Sequence, residues 1–111
     1  MRIAIPVFQG RLTLHFGHAE AFAMVDVDDD GQIGEPSFVT APNHQPGLLP
    51  AWLHEEGADV IIAGGMGSRA REIFTHYGIE VIIGAGSAPP REIVAAYLEN
   101  KLQIGDNICD H

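Results

Sequence analysis

Apolar positions fall into two regimes along this chain. Arg2 to Val7 is a short, β-branched apolar run bounded by Pro6 and Gly10, the pattern of a buried strand followed by a loop. Phe22 to Asp28 places Phe22, Met24, Val25 and Val27 among small or polar positions and predicts a second strand. Asp28-Asp29-Asp30-Gly31 is a strong turn signal, so Gln32 to Val39 is expected to return as the other arm of a hairpin. The Asp run reads as a solvated turn, because the further spacing and terminal Glu of an EF-hand are missing.

From Pro46 the pattern changes to helices alternating with strands. Leu48, Leu49, Trp52 and Leu53 recur at helical spacing, Pro50 is tolerable in a first turn, and Gly57 closes the segment. Asp59 to Ala63 is a nearly continuous apolar run, as in a strand covered on both faces. Ser68 to Tyr77 puts Ala70, Ile73, Phe74 and Tyr77 on one helical side, with Gly78 as its stop. Ile79 to Ile83 repeats the buried-strand pattern, and Pro89 to Leu98 predicts a third helix with Ile93, Val94, Tyr97 and Leu98 inward. The order implies an α/β fold: a five-stranded mixed sheet flanked by about three helices, its last strands joined by right-handed crossovers. Residues 1–102 are expected to form a single domain and 103–111 an irregular tail.

Composition narrows the partners. With 46% hydrophobic residues over 111 positions, the chain can bury a core without a structural metal. Six Lys and Arg against fifteen Asp and Glu give a net charge of -9, which argues against nucleic acid. The stretch from 36 to 54 lacks charged residues but is broken by four prolines, so no membrane span is expected. One cysteine, and an amino terminus that runs straight into a strand without a leader pattern, predict a cytoplasmic protein.

Candidate chemistry sits in four places. Gly64-Gly65-Met66-Gly67 leaves a buried strand and enters a helix, at the end of the strands where open α/β sheets bind ligands. Backbone amides there can approach an anion, and Arg69 and Arg71 are two of only six basic residues. The same glycines also suit a tight turn that needs them only for backbone angle and packing. A dinucleotide site is disfavoured because Gly84-Ala85-Gly86 stands where the acidic residue belongs, and a P-loop is excluded for want of Gly-Lys-Ser or Gly-Lys-Thr. His15 and His18 flank Phe16-Gly17 in a loop, His44 lies between Pro42 and Pro46, and Cys109 and His111 close the chain. Imidazoles and a thiolate suit iron, zinc, copper or a sulfide cluster, provided the fold brings them together. His54 and His76 fall on helices and are expected to be solvated or interfacial. No nucleophile, histidine and acid stand at motif spacing, so an enzyme is not expected.

Taken in order, these segments resemble the dinitrogenase iron-molybdenum cofactor biosynthesis family. The resemblance rests on Ile3-Ala4-Ile5-Pro6-Val7, His15-Phe16-Gly17-His18-Ala19, Phe22 to Val27, Gly57 to Gly67, Gly78-Ile79-Glu80-Val81 and the ending Cys109-Asp110-His111. It implies a ribonuclease H-like fold without nuclease chemistry, and Arg2 to Val7 indeed lacks the magnesium-binding carboxylate a nuclease needs. It further implies a carrier for an iron-sulfur or iron-molybdenum type cluster, or a precursor, exchanged with cluster donor and acceptor proteins. The cluster groove would be lined by His15, Phe16, Gly17 and His18 together with Gly64, Gly65, Met66 and Gly67. Relatives often have Arg at position 18, so His18 is either a metal ligand or an anion contact. His15 and Cys109 lead as metal ligands, followed by His18, His44 and His111, with Arg69 beside the glycines. The rival reading is a metal-free regulatory or interaction module that docks through its acidic surface.

Overall fold

A computed structural model describes residues 1–13, 19–41 and 48–100. The strands are β1 (Arg2–Phe8), β2 (Arg11–Leu12), β3 (Ala21–Asp26), β4 (Ser37–Thr40), β5 (Val60–Ile62) and β6 (Glu80–Ile82). The helices are α1 (Leu48–Glu55), α2 (Ser68–His76) and α3 (Pro90–Leu98). Sheet order is β4-β3-β1-β5-β6, with β2 added to β1. β3 is antiparallel to both β1 and β4, whereas β5 is parallel to β1 and β6. Among the described residues the expected mixed sheet flanked by three helices is present, with six strands in place of five.

Strand alternation divides the core into two layers. Ala4, Phe22, Met24, Ile61 and Ala63 face the layer that also buries Leu49 and Leu53 of α1 and Phe74 of α2. Ile3, Ile5, Val7, Ala23, Val25, Val60 and Ile62 face the opposite layer, closed by Ile93 and Val94 of α3. β1 and β5 are buried on both faces, which explains why they read as unbroken apolar runs. Trp52 of α1 sits edge-on to Phe22 at 5.5 Å between ring centroids.

Two sequence expectations need adjustment. The segment from Gln32 to Val39 is not one continuous arm: Val27 bridges Ile33, and regular pairing resumes only at Ser37. Pro36, which has no N–H to donate, falls in the gap. The additional strand, β2, pairs Leu12 with Val7 and Arg11 with Phe8. Since β3 occupies one edge of β1 along its length, β2 lies on the same edge of β1 as β5. It fills the place that β5 leaves when the chain turns away into α2.

The three parallel strands give the sheet an amino end and a carboxyl end. At the amino end, the Met1 ammonium donates to the Val27 carbonyl at 3.0 Å, and the Arg2 backbone N–H donates to Asp59 Oδ2 at 2.8 Å. The Arg2 guanidinium donates to Asp26 at 2.8 Å and to the Glu56 carbonyl at 2.6 Å, joining β1, β3 and the end of α1. Gly57, at φ +81, ends α1 there in a conformation that L-residues rarely adopt.

Candidate functional site

The carboxyl end is assembled from turns that the sheet holds together. Ala63 N–H donates to Ile82 at 2.9 Å, Gly84 N–H to Gly64 at 2.9 Å, and Ala85 N–H to Ala63 at 3.2 Å, so the glycine turn is tied to the loop after β6. Leu12 N–H donates to the Ala88 carbonyl at 2.9 Å, adding β2 to the same group. Thr13 N–H and Glu20 N–H donate to Pro6 and Val7, each at 3.0 Å, and Ala41 N–H donates to Glu20 at 3.2 Å. The described residues that border 14–18 and 42–47 on these sides are therefore anchored at this end. α1 also starts here, because its far end reaches the Arg2 side chain.

The glycine turn divides by role. Gly64, Gly65 and Met66 are buried, and the Met66 side chain is 0% exposed within the α1–α2 layer of the core. The whole residue, backbone included, is closed off from solvent. Gly67, Ser68 and Arg69 are exposed. Gly67 caps α2 at φ -67 and ψ 155, a conformation open to any residue, and provides no side-chain cap to the first helical turn. Among the described residues, a Cβ at this position would meet nothing within 4 Å. Neither backbone angle nor crowding accounts for a glycine here, although Ser, Asp or Asn would cap the helix better. What the glycine preserves is open space above helical amides, in which Arg71 N–H is the first to bond back, to the Gly67 carbonyl at 3.2 Å.

Of the residues expected to line a site, Gly64, Gly65, Met66, Gly67 and Arg69 occupy the carboxyl end. His15, Phe16, Gly17, His18, His44, Cys109 and His111 lie outside the described residues. Among the described residues, no group of three or more His, Cys, Asp or Glu is placed to hold a metal ion. His54 and His76 are exposed at the far ends of α1 and α2 and flank Tyr77, with His54 stacked on its ring at 4.8 Å. α3 runs from the carboxyl end to the amino end, where the Tyr97 hydroxyl donates to Glu80 at 3.3 Å. Asn100, the last described residue before Cys109, is therefore opposite the glycine turn. Nine residues span at most about 30 Å, against a longest molecular extent of 35 Å.

Proton affinities are shifted at the amino end. Hydrogen bonding to Asp26 raises the Arg2 guanidinium, and the same bond holds the Asp26 carboxyl below its usual range. Burial, aided by the Glu80 carboxylate, raises the Tyr97 hydroxyl. Sequence reasoning passed over Arg11, whose Nη2 donates at 3.1 Å to the carbonyl of Ser87, in the loop that Gly84 and Ala85 tie to the glycine turn. The available signal was the scarcity of cations: only six basic residues occur, and this one follows directly on Gly10. No described helix is long and apolar enough to cross a membrane.

Comparison with known proteins agrees with this arrangement. Residues 1–100 match the profile of the family described as dinitrogenase iron-molybdenum cofactor. The uncharacterized protein MJ0580 of Methanocaldococcus jannaschii is 33% identical over 108 residues, covering 93% of this chain and 90% of that one. The crystal structure of PH0822 superposes with a TM-score of 0.85 at 30% identity, over 94% of each chain. The apo form of the orange protein from Desulfovibrio gigas shares the fold, with a TM-score of 0.72 at 23% identity over 96% of this chain and 93% of that one.

Proposed function

The chain belongs to the dinitrogenase iron-molybdenum cofactor family, and on that premise we propose that it carries an iron-sulfur or molybdenum-containing cluster, or its precursor, as cargo between donor and acceptor proteins. The observation that carries this reading is Gly67: a glycine required by neither angle nor packing, keeping an uncapped helical turn open at the carboxyl end. Sulfide and oxide ligands accept hydrogen bonds from such amides, and the helix dipole favours their negative charge. Arg69 adds a cation, so a protein of net charge -9 still presents a local welcome to an anion.

Metal coordination, in this reading, falls to residues in the segments attached to this end. His15 and His18 follow Thr13, and His44 follows Ala41, so their backbone origins support a place at the groove. Cys109 and His111 follow Asn100, the described residue at the opposite end, and complete the proposed ligand set. The role is carriage without catalysis, in the cytoplasm. A central β1 with antiparallel β3 on one side and parallel β5 on the other supports a ribonuclease H-like ancestry, and β1 carries no carboxylate for nuclease chemistry.

Anaerobic isolation from the native cell, followed by metal analysis and visible absorption, tests the assignment. Iron or molybdenum near stoichiometry, lost in His15→Ala with the fold intact, is the expected result. Protein free of iron, molybdenum, copper and zinc would favour the metal-free interaction module.

A further inference from the structure

The β1–β2 hairpin is a strained device that holds one side chain in place. Gln9 and Gly10 form its two-residue turn at φ 54 and φ 80, the left-handed pair of a type I′ hairpin. A glutamine is unfavourable in that region. Glu20 Oε1 offsets this by accepting the Gln9 N–H at 2.8 Å, and Leu12 buries itself opposite Val7 in the α3-side core. Neighbours on a strand point to opposite faces, so Arg11 lies opposite Phe8 on the other face of the sheet. That is the face on which α2 packs. The pairing also puts Arg11 beyond the carboxyl end of β5, at the same sheet end as the start of α2.

Among the described residues, no carboxylate pairs with Arg11. Arg2 and Arg91 are paired with Asp26 and Glu35 at 2.8 and 3.1 Å. Arg11 instead donates to a neutral carbonyl, which orients the guanidinium through one nitrogen and leaves other N–H donors of its fork available. Phe8, 47% exposed, forms an apolar wall beside it.

We propose that Arg11 is a second cationic anchor of the cargo site, acting across the mouth from Gly67 and Arg69 and selecting ligands that present several anionic oxide or sulfide atoms. This rests on the cargo reading above and adds to it a residue that sets the charge class of the cargo. A forked donor binds two ligand atoms at once, whereas Lys supplies a point charge. Arg11→Lys is therefore an intermediate case.

The test uses metal-free full-length protein titrated with molybdate, a tetrahedral dianion, at low salt and followed by backbone amide resonances. Shifts are expected at Arg11, Gly67 and Ser68, with affinity about tenfold weaker in Arg11→Gln. Arg11→Lys falls between the two, and Arg91→Gln matches the wild type. Amide dispersion in each variant verifies the fold. Molybdate affinity unchanged in Arg11→Gln, or shifts confined to other surfaces, overturns the proposal whatever metal analysis shows. Arg11-dependent molybdate binding in a protein that retains no iron or molybdenum in its cell supports the anchor and contradicts the carrier role.

Discussion

The two ends of the sheet use the same materials to opposite purposes. At the amino end Arg2 meets Asp26, the Glu56 carbonyl and Asp59, and Gly57 is a glycine because φ +81 requires one. At the carboxyl end, among the described residues, Arg11 meets a carbonyl and no carboxylate, and Gly67 is a glycine with no conformational reason. Satisfied groups tie the fold together, whereas donors left without strong partners are available to a ligand. The difference teaches that a glycine-rich turn is not itself a binding signal: the informative glycine is the one the backbone does not need.

The sharpest division is expected within the glycine turn. Met66→Ala, one residue from Gly67, removes a fully buried side chain and should lower stability by about 2–4 kcal/mol. Thermal denaturation measures the loss, while the fraction still folded should retain cargo like the wild type. Cargo lost from folded Met66→Ala protein would place its side chain in the site.

Arg2→Ala probes the other end with a smaller effect, about 0.5–1 kcal/mol, because the Arg2–Asp26 pair is largely exposed. Asp26 is held low by its hydrogen bond from Arg2, so its contribution is present above the ordinary unfolded carboxylate value, about 3.9. It is lost as pH falls through the still lower folded value. Melting curves of wild type and Arg2→Ala should therefore converge in acid and separate toward neutrality, with cargo binding at neutral pH alike in both. A gap that widens in acid would contradict this account of the amino end.

Most of the sheet and all three helices were legible because burial on one or both faces leaves period-specific apolar patterns. Ile61 and Ile62 belong to an unbroken run because β5 is covered on both sides, and Gly57 and Gly78 mark helix ends through their positive φ. β2 was not legible. Two residues have no period, and their turn uses Gln9 where Asn or Gly would have signalled a hairpin. Arg11 was missed with it, since its importance comes from the strand that places it. The glycine turn was found, but the sequence could not distinguish buried Gly64, Gly65 and Met66 from exposed Gly67. That distinction depends on where β5 leaves the sheet. The histidines and the cysteine were found as residue types, and their roles belong to the proposal.

Gly67→Asp tests the central claim most directly, because it sets stability against binding at one atom. A carboxylate placed above the first turn of α2 can cap its amides and complement the dipole, leaving stability equal or higher by a few tenths of a kcal/mol. The same carboxylate repels an anionic cargo and occupies its space. Iron and molybdenum per chain, measured after anaerobic isolation alongside thermal denaturation, should fall at least about tenfold, in line with the loss of several charge-assisted hydrogen bonds, in a protein that melts no earlier than the wild type. Wild-type metal content in a stable Gly67→Asp protein would contradict the account.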